Sequence, residues 1–423
     1  MINAKTGEYN IVKMKQRSEA VKRVRILRVF SIMFLAALQP AVAAEVAKYD
    51  VAAIVWPAYH PAPRWAELGI FSAGKGEWQN IWEATKRRPD DLWDARPIWG
   101  YTNEADPNDV AQKIDAAVAA GINVFIYDWY WYGGRPFLED ALNKGFLGAP
   151  NRSRMKFYVM WANHDVNKYW DNTVDTKHGK EDLVWTAKVS DADWKTIVAR
   201  WISQYFTQPN YYCIGGKPVL MIYRLDSFVE WEGMAKAKER LDYLRAEARK
   251  AGFPGVHLQG KIRGKVPDYR ALGIDSYTLY NWNDCHWWDV IDPVTKADPD
   301  YATCGDYALK RCDEMKAEVA EQGAAFFPNV SVGWDNNARF PISQTNRTIR
   351  NATPAGYEKY ARKIRDWAQA NIPPELPKLI TVNSWNEWTE GGYLEPDTRW
   401  GFGYLDATRK VFVEEPGRVR WNR

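Results

Sequence analysis

Histidine and cysteine are scarce in this chain: five His and four Cys in 423 residues. No C-x-x-C spacing occurs and the His are scattered, so no metal is expected. The apolar run Val29 to Leu38 is too short to cross a bilayer, which takes ~20 residues. Net charge is only +4, swollen by an N-terminal cluster, and no basic stripe points to nucleic acid. No G-x-G-x-x-G stretch is present, and no D-x-D pair sits in a loop suited to a nucleotide sugar. Internal repeats and low-complexity tracts are also missing, so nothing divides the chain into further domains.

Aromatic residues are plentiful instead, and tryptophan above all: 23 Trp against 23 Tyr and 15 Phe. Flat apolar rings with a polar handle suit stacking against sugars, although a core rich in aromatics is the plain alternative. Residues 1–44 read as a targeting segment. A basic stretch from Lys13 to Arg28 precedes Val29 to Leu38, and Ala41, Val42, Ala43, Ala44 supply small-residue cleavage positions. This predicts export and no stable membrane insertion after cleavage; the long basic extension makes Met14 an alternative start. In an oxidising compartment one disulfide among Cys285, Cys304 and Cys312 is plausible, with Cys213 standing apart.

Along residues 45–423, short apolar runs end in aromatic and polar residues and mostly alternate with helical patterns. The runs are Val51–Trp56, Asn123–Ile126, Lys156–Met160, Pro218–Ile222, Val256–Leu258, Ile274–Leu279, Ala324–Val332 and the stretch opening at Leu379. Helices are expected over Pro107–Ala120, from an Asp193 cap to about Phe206, and over Met234–Lys250, Tyr307–Glu321, Pro354–Ala370 and Phe402–Phe412. Eight such strands predict an α/β (β/α)8 barrel with one catalytic domain rather than an open doubly wound sheet. The active site of such a barrel lies at the carboxyl ends of its strands. Those ends carry Tyr59, His60, Trp129, Tyr130, Trp161, Asn163, His164, Tyr223, Arg224, Tyr280, Trp334 and Asp335. Each alone reads as packing; the shared polarity gradient makes them candidates to bind substrate. Arg224 and Asp335 could also form a structural pair, and Arg224 could meet an acidic or sulfated sugar.

The stretch LITVNSWNEWTEGGYLEPD, Leu379 to Asp397, carries the sharpest signal. A β-branched run gives way to Asn383, Trp385, Asn386, Glu387 and Glu390, then to a glycine pair. Two carboxylates among aromatic platforms fit chemistry at a glycosidic bond, one as an acid and one supporting the opposite side of the reaction. Glu390 must then be held neutral by burial against Trp385, Trp388 and Trp334 and by the Glu387 charge. Glu387 must stay ionised, with hydrogen bonds from Asn386 or Asn383 expected to help.

These motifs resemble the glycoside hydrolase family 99-like proteins, a group also termed WbsX-type and related to endo-α-mannosidases. The resemblance rests on AYHP at Ala58 to Pro61, FIYDWYWYGGRPFLE at Phe125 to Glu139, WANHD at Trp161 to Asp165 and GGKPVLMIYR at Gly215 to Arg224. It continues through GWDN at Gly333 to Asn336, SWNEWTEGGYLEPD at Ser384 to Asp397 and GYLDA at Gly403 to Ala407. It implies a (β/α)8 fold, cleavage of an α-glycosidic bond in a polysaccharide or glycan with retained configuration, a carbohydrate as partner, and no cofactor. It also implies that Glu387 takes the proton of the substrate's 2-hydroxyl, which attacks the anomeric carbon, while Glu390 serves as general acid and then base. Where the mannosidases have His before the second Glu this chain has Thr389, and LEPD marks the WbsX-type branch. Two alternatives accompany this reading: a glycosyltransferase of surface-polysaccharide assembly, and a catalytically silent carbohydrate-binding barrel.

Overall fold

The parallel sheet begins at Asp50–Val55 (β1) and runs in chain order through Val124–Tyr132 (β2), Lys156–Trp161 (β3), Lys217–Ile222 (β4), His257–Lys261 (β5) and Ser276–Thr278 (β6). The computed structural model describes residues 48–89, 91–173, 183–413 and 419–421; the expected targeting segment therefore lies outside the described residues. The seventh position, β7, is split into Ala325–Phe326 and Asn329–Ser331, and Leu379–Asn383 forms β8. Pro328 has no N–H for a ladder, which breaks the run expected over Ala324–Val332. The sheet still continues across the gap: Phe327 N donates to Tyr277 O (2.9 Å) and Thr381 N to Pro328 O (3.0 Å). Because β8 pairs in parallel with both β7 and β1, the sheet closes on itself as the eight-position barrel expected.

Helices cover the outside. Pro107–Ala119 (α1) begins with the Asp106 carboxylate accepting from Asn108 N and with proline in its first turn. Asp191–Arg200 (α2) starts two residues before the expected cap, because Ser190 rather than Asp193 accepts the orphan amide, here that of Asp193. Met234–Lys250 (α3) matches its expected limits. Tyr301–Ala320 (α4) starts six residues earlier than its helical pattern suggests, capped by Asp300. Tertiary packing overrides propensity there: Gly305 lies so close to the Tyr360 ring of Pro354–Asn371 (α5) that a Cβ would come within 2.6 Å of it. Gly403–Phe412 (α6) completes the layer.

The barrel interior is partly polar, and hydrogen bonds link side chains of different strands across it. Tyr158 on β3 donates to Gln259 on β5 (2.9 Å), and the Thr278 and Thr381 hydroxyls meet at 2.9 Å. Tryptophans fill the space between strands and helices, with Trp201 packed edge-on against Trp129 (5.3 Å) and Trp161 (5.9 Å). All four cysteines are free thiols, contrary to the plausible disulfide. Cys304 and Cys312 share α4 eight residues apart, about 12 Å along a helix axis and too far to bridge. No helix among the described residues is long and apolar enough to cross a membrane.

Candidate active site

Beyond β8 the chain turns at once into a small hairpin, Asn386–Glu387 pairing with Gly392–Tyr393, closed by a 3₁₀ turn over Trp388–Glu390. The Ser384 hydroxyl accepts from Glu387 N (2.9 Å) and fixes the start of the turn. In a 3₁₀ turn positions i and i+3 fall on one side, which brings Glu387 and Glu390 together. Gly391 follows in the left-handed conformation at φ 64°, and a Cβ there would press on Asp335 N at 3.2 Å.

Both carboxylates line a cavity of about 530 Å³ at the carboxyl ends of the strands. Arg339, from the turn after β7, reaches Glu77 (2.7 Å), Glu387 (3.4 Å) and, in close contact, Glu390. Glu77 arrives from the long β1–α1 excursion and also accepts from the Thr389 hydroxyl (2.9 Å) and the Trp56 indole. Burial pulls the Arg339 pKa down, but Glu77, Glu390 and Glu387 outweigh it and hold the guanidinium charged. The Tyr280 hydroxyl donates to Glu387 at 2.5 Å.

One cation among three buried carboxylates cannot keep them all ionised. Burial, then the Glu387 charge, pushes the Glu390 pKa well above the usual carboxylate range. Glu387 is also raised by burial, but Arg339 and the Tyr280 hydroxyl oppose the rise. A hydrogen bond between the two carboxyls favours the proton on Glu390 and the charge on Glu387. A fourth carboxyl, Asp128 on β2, is raised well above its usual value by burial and by Glu387; its Oδ1 has no protein partner, and its Oδ2 accepts from Tyr130 at 3.3 Å. Among the described residues no group of three or more His, Cys, Asp or Glu is arranged to hold a metal ion.

Of the residues expected at the site, Tyr130, His164, Tyr223, Arg224, Tyr280 and Trp334 line the cavity with Glu387 and Glu390. Burial lowers the His164 pKa to about 4, so that ring stays neutral. The others lie elsewhere, for local reasons. Alternation along a strand turns Trp129 and Trp161, directly opposite each other in the β2–β3 register, toward the helices. Asn163 clamps the Arg224 backbone, accepting from Arg224 N (2.8 Å) and donating to Arg224 O (2.9 Å). Asn386 does the same for Trp56, at 2.8 Å on both sides, and so gives nothing to Glu387. Asn383 is buried with its Nδ2 unpartnered, and Trp385 packs behind the site against Phe125. Tyr59 is buried against Trp78 (4.3 Å), its hydroxyl accepting from Thr389 N. His60 is buried outside the cavity, with its pKa lowered to about 4 by burial. Asp335 accepts from Asn337 N (3.0 Å), capping the turn that presents Arg339; it does not pair with Arg224, which is held by Asp226 at 2.8 and 3.0 Å.

The hydrophobic cover also differs from expectation. Trp388 does not line the cavity but stacks on Tyr393, with ring centroids 3.8 Å apart, and the tryptophans that line it are Trp56, Trp170, Trp231, Trp288 and Trp334. Arg339 and Glu77 were not signalled by any local pattern, whereas Trp56 closes the first apolar run and could have been read from that position. Asp128 was detectable: it lies two residues before Tyr130 and so shares its face.

Residues 51–408 match the family model described as "Glycosyltransferase WbsX". The chain is 26% identical over 371 residues to "Uncharacterized protein WxcX" in two strains of Xanthomonas campestris pv. campestris, a match covering 85% of this chain. It spans about half (49%) the length of those relatives. Among solved structures, a "Glycoside hydrolase-like protein" matches with a TM-score of 0.55 at 16% identity, covering 89% of this chain and 97% of the other. The GH99 endo-alpha-mannosidase from Bacteroides thetaiotaomicron matches with a TM-score of 0.54 at 13% identity, covering 85% and 96%. At these identities the likeness establishes a shared fold.

Proposed function

Because the chain belongs to the WbsX family, we propose that it acts on glycans and that its reaction is hydrolysis of an α-glycosidic bond with retained configuration. The observation that carries this reading is the carboxyl pair itself: a neutral Glu390 beside an anionic Glu387, on the wall of an aromatic-lined cavity. The volume of about 530 Å³ falls within the range of small-ligand sites, about 300–1,000 Å³.

In this scheme Glu390 gives its proton to the glycosidic oxygen as the C1–O bond breaks. Glu387, oriented by Tyr280 and Arg339, takes the proton of the sugar's 2-hydroxyl, whose oxygen closes on C1 from the opposite side. Water then opens the three-membered ring. Glu390, now ionised, removes the water's proton, and Glu387 returns its own to the 2-oxygen. Two inversions at C1 leave the configuration unchanged. Neutral Asp128, with a free oxygen, is placed to bond a sugar hydroxyl.

The family description favours a second reading, glycosyl transfer, in which a sugar hydroxyl replaces the water in the second step. Export, expected from residues 1–44, belongs to the proposal and is checked by N-terminal sequencing of the mature protein. The chemistry is tested by screening polysaccharides with the wild type and Glu390→Gln side by side, reading reducing ends released. Cleavage by the wild type is expected, with the variant at least ~100-fold slower. A cleaved substrate on which Glu390→Gln keeps near-wild-type rates overturns the assignment; longer products without new reducing ends establish transfer.

A further inference from the structure

The wall of the same cavity formed after β4, β5 and β6 carries the opposite chemistry. Lys261, at the end of β5, is buried, with its side chain 3% exposed. Its ammonium donates to Asp284 (3.1 Å) and sits 4.1 Å above the Tyr223 ring, which leaves N–H groups without a protein acceptor. Arg263 is exposed at the rim over Trp288 (5.8 Å), with no carboxylate in ion-pair range among the described residues. Arg224 adds a third cation, although both Asp226 oxygens already hold it. Asn283, only 6% exposed, accepts from the Trp287 indole (2.6 Å), while its Nδ2 is a buried donor without a partner.

Spare donors here outnumber spare acceptors. Asp284 accepts from Lys261 and from Tyr280 N (2.8 Å), and Asp165 on the neighbouring strand end accepts from Ala187 N (2.8 Å) and the Thr186 hydroxyl (3.0 Å). A buried ammonium and an orphaned amide at one wall favour an anion in a drier site than the exposed rim provides. Tyr223 and Tyr280, in edge contact at 5.2 Å, separate this wall from Glu387, so an occupant could belong to the sugar being cleaved or to its neighbour.

We propose that Lys261, Asn283 and Arg263 form a subsite for a negatively charged substituent on the glycan, a uronate carboxylate or a sulfate ester. This makes the substrate an acidic polysaccharide, and it deepens, and rests on, the reading of the cavity as a glycosidase site. Lys261 and Asn283 supply donors from below, and Arg263 closes the rim.

The test uses titration calorimetry on the full chain carrying Glu390→Gln, so that binding is read without turnover. The probes are α-linked oligogalacturonates with their carboxyl-reduced forms, and sulfated α-fucan oligosaccharides with their desulfated forms. Binding about tenfold or more tighter to the charged member of one pair is expected, weakening with salt, and the pair that discriminates names the anion. Arg263→Ala, at an exposed position, should reduce that ratio, and Lys261→Met should abolish it. Equal affinity within both pairs overturns the subsite, as does an unchanged ratio in Arg263→Ala. Binding of UDP or GDP that Arg263→Ala abolishes, without discrimination within either pair, also overturns it. The two readings fail separately. Selective binding of an acidic oligosaccharide that the wild type never cleaves removes the hydrolase and keeps the subsite; cleavage of neutral glycans without charge preference does the reverse.

Discussion

Two buried clusters in this barrel are built from the same parts and differ in what surrounds them. In one, Lys113 of α1 lies between Glu104 (3.1 Å) and Glu395 (2.8 Å), all three almost fully buried. Glu104 also accepts from Tyr59 N and the Asn386 amide, and Glu395 accepts from the Trp388 indole. In the other, Arg339 holds Glu77, Glu387 and Glu390, and Glu390 keeps 14% of its side chain exposed to the cavity. The first cluster ties the β1–α1 excursion to the LEPD segment. The second has more carboxylates per cation and an opening, so a proton is retained where a ligand can reach it. Burying acidic groups is common to both; access to the cavity is what separates them.

The largest expected effect breaks the comparison at its centre. Glu390→Gln and Glu387→Gln should each lower turnover by ~10²–10⁴-fold while leaving the far-ultraviolet circular dichroism unchanged. Loss of folding in both variants would place the two glutamates with the supporting cluster.

Lys113→Met should act on stability instead. It leaves two buried carboxylates without their cation, which costs about 3–5 kcal/mol. Denaturant unfolding reads this directly, and a variant as stable as the wild type would show that Glu104 and Glu395 simply take up protons.

pH sharpens the contrast. The Glu390 pKa is raised by burial and by Glu387, so turnover should fall as pH rises through that raised value and the acid is lost. For folding the sign is the same: stability contributed by the protonated form is full below the unfolded pKa and is lost as pH rises through the folded one. Glu390→Gln should therefore raise the melting temperature more at pH 8 than at pH 5. An equal change at both would contradict the raised pKa. His164, lowered to about 4, is neutral in the folded protein at both values; its unfolded form titrates near 6.5, a contribution common to the wild type and Glu390→Gln that cancels in their difference.

Much of the fold was legible because it depends on local periodicity. Six of the apolar runs coincide with barrel strands within a few residues, the run Asn123–Ile126 continues as strand through the aromatic residues to Tyr132, and the run Ala324–Val332 is interrupted where Pro328 removes a donor. The polarity gradient also pointed to the end of the barrel where the cavity opens. What stayed hidden depends on long-range convergence. Arg339 is one of 57 Lys and Arg and sits in a loop with no pattern of its own, yet it organises the site. Glu77 lies in a Trp-rich excursion whose path over the mouth has no local signature. The LEPD motif, distinctive in the sequence, proves to brace the fold: Glu395 meets Lys113, and Asp397 accepts from the Tyr393 hydroxyl (2.7 Å).

Side-chain facing accounts for the remaining misplacements, and two neighbouring substitutions isolate it at the smallest scale. Trp129 and Tyr130 are adjacent on β2, equally aromatic and equally buried, and either could be taken for a sugar platform. The pleat sends Trp129 to Trp201 and the Glu139 carboxylate (2.8 Å), and Tyr130 to the cavity and Asp128. Trp129→Phe should cost about 1–3 kcal/mol of stability, through a lost buried hydrogen bond and lost packing, with turnover within a factor of about two. Tyr130→Phe should leave stability nearly unchanged but slow turnover by roughly three- to tenfold, because Asp128 loses the hydroxyl that orients it, a loss on the order of 1 kcal/mol. Unfolding curves and initial rates measured on the same two variants decide it: a Trp129→Phe enzyme that is stable but slow would put the wrong face of β2 toward the substrate.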